Sequence, residues 1–208
     1  MRRASIQRTT KETGIEVELS LESGTASSIA VPNGFFGHML EALAVHSGFG
    51  LRLAAQGDVA VDLHHTVEDT GLVLGEALAA ALGDRRGAMR FAHAYVPLDE
   101  ALARAVVDLS GRGFFVWSVP AELEQVWVTQ EFPLTLVADF FQAFADRGRL
   151  TLHLTVVAGR NPHHVAEACF KAVAVALRQA VALRPAVEPR AGAEASAAVP
   201  STKGTLVG

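Results

Sequence analysis

The sequence predicts an α+β fold made of two similar halves, each a β-sheet with helices packed on one face. Patterns typical of strands, a helix, a strand and a helix follow in that order in residues 1–88 and again in 89–184. In addition, the segment HHTVE beginning at His64 returns as HHVAE at His163, 99 positions later. We therefore expect one domain of 208 residues that is internally duplicated, with a C-terminal arm over 185–208.

In the first half, residues 13–21 alternate between apolar and polar side chains, as a half-buried strand does. Residues 24–33 are rich in small and turn-forming types and are expected to be a loop. The following segments predict a helix over 35–46, a strand over 49–55 and a second helix over 63–82.

The second half follows the same order. Its patterns predict strands over 104–110 and 114–119, a helix over 134–146, a strand over 149–158 and a last helix over 162–183. The tail beyond it is rich in Ala and Pro, so we expect an irregular arm across the surface.

Composition narrows the class of protein. Half of the residues are hydrophobic and 19% are charged, which allows a large core and excludes general disorder. The net charge of -4 predicts no attraction to nucleic acid or to an anionic membrane. One cysteine, Cys169, cannot form an internal disulfide, which fits a reducing compartment. Without an apolar run of about 18 residues or a signal peptide, a cytoplasmic protein is expected.

The repeated HHxxE segments predict metal binding, because His and Glu are ligands of divalent metals. Adjacent helical residues point about 100° apart, so His64 and His65 cannot easily bind the same ion. Glu68 follows them by four and three residues and can share a helix face with either. Each HHxxE helix, including the one with His163 and His164, is therefore expected to serve two metal sites.

The duplication extends the ligand set. His38 precedes His64 by nearly the same spacing as Asp139 precedes His163, and each lies in the preceding helix, so Asp139 is the counterpart of His38. This gives four ligands for each of two metals: His38, His64, His65, Glu68, Asp139, His163, His164 and Glu167. An octahedral ion would keep two positions open, and ligands without thiolate favour manganese or iron over structural zinc.

Two further histidines, His93 and His153, are not expected to bind metal, since nothing in the sequence pairs with either. A separate set of polar and basic residues predicts phosphate binding, because Arg, Lys and Ser donate hydrogen bonds to phosphate oxygens. Its members are Arg90, Arg112, Lys171, Ser201 and Lys203.

Six segments between about Gln7 and Leu206 stand out in order and spacing: RTTKETGIEVELSL, FFGHMLEALAVHSGF, DLHHTVEDTGLVLGEAL, DLSGR, GRNPHHVAEACFK and PSTKG. Together they resemble the imidazoleglycerol-phosphate dehydratase family. The resemblance implies dehydration of imidazole glycerol phosphate to imidazole acetol phosphate in histidine biosynthesis. It also implies two manganese ions and a 24-subunit homo-oligomer with active sites between subunits.

The resemblance assigns roles to residues. It implies metal ligands at His38, His64, His65, Glu68, His163, His164 and Glu167. It implies substrate contacts at Glu12, His38, His46, His64, Arg90, Arg112, His163, Lys171, Ser201, Thr202 and Lys203. Glu12 is the expected catalytic residue for proton transfer, with His46 or a metal-bound water as the less favoured alternatives.

The sequence departs from the family pattern at three positions. Asp139 stands where the family usually has a ligand histidine, while Gly37 and Leu63 replace the usual Asp before His38 and His64. Both replacements are expected to weaken the support of the neighbouring ligands.

The departures keep two other functions open. The first is a catalytically degenerate protein that binds metal in order to assemble, and the second is a dinuclear hydrolase, which also fits eight ligands. The retained phosphate set argues against the first, and the resemblance along the whole chain argues against the second.

Overall fold

The computed structural model describes residues 1–22, 26–184, 199–202 and 204–206. The first half contains β1 (Arg3–Thr9), β2 (Thr13–Ser20), β3 (Ser28–Ala30), α1 (Gly34–Ser47), β4 (Gly50–Gly57) and α2 (His64–Leu82). The second half contains β5 (Phe91–Leu98), β6 (Ala101–Asp108), β7 (Phe114–Ser118), a 3-10 helix (Ala121–Leu123), β8 (Trp127–Thr129), β9 (Phe132–Pro133), α3 (Thr135–Gly148), β10 (Thr151–Ala158) and α4 (Pro162–Val181).

The two halves share one topology, which confirms the predicted duplicated α+β fold. The strand orders are β1-β2-β4-β3 and β5-β6-β10-β7. In each sheet the first three strands are antiparallel, and the last, β3 or β7, runs parallel to its neighbour. The small β8–β9 hairpin has no counterpart among the described strands of the first half.

The helices of the two halves lie between the two sheets. α2 packs on β1 and β2 and also on α3, while α4 packs on β5 and β6 and also on α1. Aromatic rings fill the contact between α3 and α4: the ring centroids of Phe141 and Phe170 are 4.7 Å apart, and those of Phe140 and Phe170 are 5.2 Å apart. All three side chains are fully buried. Helices α3 and α4 therefore share one hydrophobic core.

Three strands of the two large sheets were not predicted. In β1, at the edge of its sheet, no residue is fully buried, so its apolar alternation is weak. In β5, Phe91 and Tyr95 lie on the exposed face, which hides the alternation expected of a half-buried strand. β3 is only three residues long and lies within the segment expected to be a loop.

The C-terminal arm falls largely on residues 185–198, outside the described part of the chain. Near its end Leu206 is buried, and its carbonyl oxygen accepts a hydrogen bond from the buried Arg85 at 3.3 Å. A Cβ on Gly111 would collide with the same carbonyl group. The last described residues therefore dock on the loop between β6 and β7. No helix in the described ranges has the length and apolarity to cross a membrane.

Helices α2 and α3 approach each other closely at Gly71 and Gly75. A Cβ on Gly71 would lie 2.5 Å from the carbonyl oxygen of Phe140, and one on Gly75 would collide with the carbonyl oxygen of Phe144. We expect Gly75→Ala to lower the free energy of unfolding by about 1–3 kcal/mol, because the helix backbones must separate. Urea unfolding of the purified variant measures this change.

The control is Gly34→Ala, since a Cβ there meets nothing within 4 Å. That variant should be as stable as the original protein. Equal stability of Gly75→Ala would contradict the close approach of α2 and α3.

Candidate metal and substrate site

One group of metal-ligand side chains, the first cluster, consists of His38 on α1 with His163 and Glu167 on α4. Nε2 of His38 and Nε2 of His163 each lie 3.4 Å from Oε2 of Glu167. Among the described residues, this is the one group of three His, Cys, Asp or Glu side chains whose ligand atoms all lie within 4.8 Å of one another. His163 and Glu167 are separated by one helical turn, so both face α1.

The second cluster repeats this arrangement with the halves exchanged: His64 and Glu68 on α2 meet Asp139 on α3. Nδ1 of His64 lies 3.3 Å from Oδ2 of Asp139, and Nε2 of His64 lies 3.9 Å from Oε2 of Glu68. Asp139 thus occupies the position predicted for the counterpart of His38. Here the histidine ring stands between two carboxylates, whereas in the first cluster both rings direct Nε2 at one carboxylate oxygen.

His65 and His164 do not join either cluster. Nδ1 of His65 lies 3.1 Å from Oδ2 of Asp58 and 3.9 Å from Oε2 of Glu12. Nδ1 of His164 lies 2.8 Å from Oε2 of Glu100. One subunit therefore assembles three predicted ligands around each centre rather than four.

These hydrogen bonds shift the pKa values of their partners. The bond to Asp58 raises the pKa of His65, and the bond to Glu100 raises the pKa of His164. In return, the bond from His164, helped by the backbone N–H of Asn161, lowers the pKa of Glu100 to about 2. Glu100 is therefore an anionic acceptor near neutral pH.

Lys171 adds positive charge to the first cluster. Its Nζ lies 2.7 Å from Oε1 of Glu167. Burial alone raises the pKa of the Glu167 carboxyl, but the hydrogen bond and charge of Lys171 and the nearby His38 lower it overall. Burial, Lys171 and Arg178 lower the pKa of His46, which favours its neutral form. Two of the predicted substrate contacts, His46 and Lys171, thus belong to the surroundings of the first cluster.

Glu12 lies in the turn between β1 and β2, and a buried carboxylate fixes this turn. Asp69, in the turn of α2 that follows His65, accepts hydrogen bonds from Arg8 Nε at 3.0 Å and from the Thr13 hydroxyl. The Glu12 side chain remains 56% exposed. Asp69 was missed in the sequence, where it follows the HHTVE segment directly and both of its partners are distant along the chain.

Part of the predicted phosphate set gathers near the C-terminal end of α4. The Arg90 guanidinium binds the Asp108 carboxylate at 2.7 Å and the Pro200 carbonyl oxygen at 2.7 Å. Arg112 is exposed in the loop on which Leu206 docks. Of the predicted PSTKG residues, Ser201 is partly exposed and Thr202 is exposed, while Lys203 lies outside the described residues.

Arg90 and Lys171, two members of the predicted phosphate set, lie far apart within this chain. The backbone N–H of Arg90 binds the carbonyl of Ala180 in the last turn of α4, whereas His163 lies in the first turn of the same helix. At about 1.5 Å of rise per helical residue, these two positions are about 25 Å apart. Lys171 therefore stands with the metal ligands, and Arg90 stands at the other end of the helix.

The remaining sequence predictions also have places in the structure. His93 and His153 are exposed on the outer face of the second sheet, where both are paired in register with Val106, and neither belongs to a cluster. Leu63 is buried in the core.

The two departures before the ligand histidines leave the backbone intact. The His64 backbone N–H donates to Asp62 at 2.8 Å, as that of His163 donates to Asn161 at 3.0 Å. Asp62 therefore supplies a side-chain acceptor at this end of α2, although Leu63, the N-cap residue, makes no side-chain capping bond. At the other departure, a Cβ on Gly37 would lie 3.2 Å from Cγ2 of Val31.

Comparison with known proteins shows which family the chain is similar to. Residues 32–177 match the family model described as imidazoleglycerol-phosphate dehydratase. Proteins of that name from Acidiphilium cryptum and Ruegeria pomeroyi are 51% and 50% identical over 205 and 206 residues. The aligned regions cover 99% of this chain and 99% and 100% of those proteins.

Two solved structures share the fold. The dehydratase of this name from Staphylococcus aureus is 36% identical with a TM-score of 0.76, and the alignment covers 88% of this chain and 99% of that one. The enzyme from Pyrococcus furiosus is 32% identical with a TM-score of 0.76, and the alignment covers 96% and 99%.

Proposed function

The chain belongs to the imidazoleglycerol-phosphate dehydratase family, and from this premise we propose that it uses two manganese ions to dehydrate imidazole glycerol phosphate to imidazole acetol phosphate. It is accordingly a hydro-lyase of histidine biosynthesis. The first cluster is the observation that carries the proposal, since it brings two imidazole nitrogens and a carboxylate within reach of one ion. We place this activity in the cytoplasm.

The donor atoms of both clusters fit manganese. Each cluster offers nitrogen and carboxylate oxygen without thiolate, a mixture that suits Mn²⁺ or Fe²⁺. His38, His163 and Glu167 would hold one ion, and His64, Glu68 and Asp139 would hold the other. When bound, the ions supply Lewis acidity that favours the deprotonated form of the substrate imidazole.

The chemical task is to remove a weakly acidic proton from carbon and a hydroxyl from its neighbour, which together leave as water. Glu12 is the group proposed to transfer the proton, because its carboxylate is exposed and its turn is held against α2 through Asp69. Lys171 and the neutral His46 lie where they can orient the substrate beside the first cluster. Arg90, Arg112, Ser201, Thr202 and Lys203 are proposed to hold its phosphate.

The active site is proposed to form between subunits of a 24-subunit homo-oligomer. Two observations support a shared site: His65 and His164 face away from the clusters of their own chain, and Arg90 lies about 25 Å from His163. A second copy that presents its His65 or His164 to a cluster would complete four ligands, and its phosphate set would reach the same substrate.

The first test measures turnover of imidazole glycerol phosphate by metal-stripped protein, with and without added Mn²⁺. We expect imidazole acetol phosphate only when Mn²⁺ is present. Full metal loading with assembly but without product would instead support the degenerate scaffold. Release of inorganic phosphate from phosphate esters would support the hydrolase.

A further inference from the structure

The histidines outside the clusters each bind a carboxylate through the same ring nitrogen. Asp58 lies 3.1 and 3.3 Å from Nδ1 of His65, and Glu100 lies 2.8 Å from Nδ1 of His164. A carboxylate accepts but cannot donate, so Nδ1 must carry a proton, and in the neutral ring, which is the form that binds metal, Nε2 is left with a free lone pair. This is the arrangement by which carboxylates orient histidines that bind metal through Nε2.

The two carboxylates come from positions that are not equivalent in the duplicated fold. Glu100 lies in the β5–β6 turn, whose counterpart in the first half is the β1–β2 turn with Glu12. Asp58 is the first residue after β4, and the first residue after β10 is Gly159. A Cβ on Gly159 would collide with Cγ2 of Val165, so an aspartate there would require Val165 to shift.

Glu12 and Glu100 are therefore used differently, although both lie in the first turn of their sheets. In the second half, Glu100 is hydrogen-bonded to His164. In the first half Asp58 takes that place at 3.1 Å, and Glu12 stays 3.9 Å from His65 with 56% of its side chain exposed.

We propose that Asp58 and Glu100 are positioning residues that hold His65 and His164 in the tautomer presenting Nε2 to manganese, and that Asp58 thereby leaves Glu12 free to transfer a proton. This inference rests on the proposed manganese site. Neither residue touches the metal; both act through the histidine.

Glu100→Gln tests the tautomer directly. Oε1 of Glu100 accepts the backbone N–H groups of Arg160 and Asn161 at 3.2 and 2.8 Å, while Oε2 faces His164. The amide oxygen of glutamine must keep the two backbone bonds, so its NH₂ group faces Nδ1. His164 then moves its proton to Nε2 and loses the lone pair for the metal.

Asp58→Asn supplies the contrast. Both Asp58 oxygens face only Nδ1 among the hydrogen bonds described, so asparagine can turn its carbonyl oxygen toward the ring and keep the tautomer. The alanine of Asp58→Ala has no oxygen to accept from Nδ1, so the tautomer is no longer fixed. Glu12 then becomes the nearest carboxylate to His65.

The experiment titrates each assembled, metal-stripped variant with Mn²⁺ and measures the free ion by electron paramagnetic resonance. Glu100→Gln and Asp58→Ala should bind about 10–100-fold more weakly than the original protein, and Asp58→Asn only slightly more weakly. At saturating Mn²⁺, turnover should recover in Glu100→Gln but stay low in Asp58→Ala, where Glu12 is drawn to His65. Asp84→Asn is the control, since Asp84 is exposed and binds Arg86 rather than a histidine.

Unchanged affinity of Glu100→Gln, with normal Mn²⁺ binding by the original protein, would overturn the inference and leave the proposed function standing. A fall in the melting temperature of metal-free Glu100→Gln without a change in Mn²⁺ affinity would also overturn it. Glu100 would then only stabilise the backbone at Arg160 and Asn161. Failure of the original protein to bind Mn²⁺ would overturn the manganese site and the inference together.

Discussion

Replacing Glu12 by glutamine is expected to lower kcat by about 10²- to 10⁴-fold, the usual contribution of a general acid or base. Glutamine has nearly the same shape but cannot accept and return a proton, so Mn²⁺ binding and folding should remain intact. Steady-state kinetics at saturating Mn²⁺, together with a Mn²⁺ titration, separate loss of proton transfer from loss of metal.

Glu16→Gln is the matched control. Glu16 lies four residues further along the same hairpin, and its carboxylate binds the exposed Gln7 side chain at 2.9 Å. The control should turn over at the original rate. If Glu12→Gln did so as well, proton transfer would belong to another group, with His46 the first candidate because its lowered pKa keeps it neutral.

The fold could be predicted from sequence wherever one face of an element is buried. β2 shows strict alternation of buried and exposed residues along most of its length, and its residues 13–20 were predicted to within one position. Edge strands such as β1 lack that alternation because both faces are partly exposed. The tight contact of α2 with α3 at Gly75 could not be predicted, since it depends on the carbonyl of Phe144, which belongs to the other half of the chain.

The site was predictable to the extent that the duplication repeats it. Matching His38 with Asp139 identified the two as equivalent positions, but it did not indicate that each lies opposite the HHxxE helix of the other half. The role of Asp58 could not be inferred in this way, because the duplication gives it the counterpart Gly159. The distance between Arg90 and His163 could not be predicted either. The sequence does not show that Arg90 binds the C-terminal end of α4, whereas His163 lies at its N-terminal end.

Asp139→Ala is expected to remove the ion of the second cluster. Asp139 is the only described member of that cluster contributed by α3, and without it His64 and Glu68 are two ligands on a single helix. Metal content should fall from two Mn²⁺ to one per active site, and turnover should fall by more than the roughly 100-fold expected at most from losing an orienting carboxylate. Elemental analysis of the desalted protein, paired with kinetics, measures both quantities.

Asp139→His makes this prediction specific to metal binding. A histidine restores the ligand type expected from the family resemblance and reaches further than aspartate, so it should keep two Mn²⁺ and keep turnover. Glu124→Ala, which removes an exposed carboxylate after the 3-10 helix, controls for the loss of negative charge. Two bound ions in Asp139→Ala would show that Asp139 only supports the His64 ring, which it approaches at 3.3 Å. A third variant, Asp139→Asn, keeps the size of the side chain and its hydrogen bond but not its charge. If Asp139→His is active and Asp139→Asn is not, the residue at this position coordinates the metal.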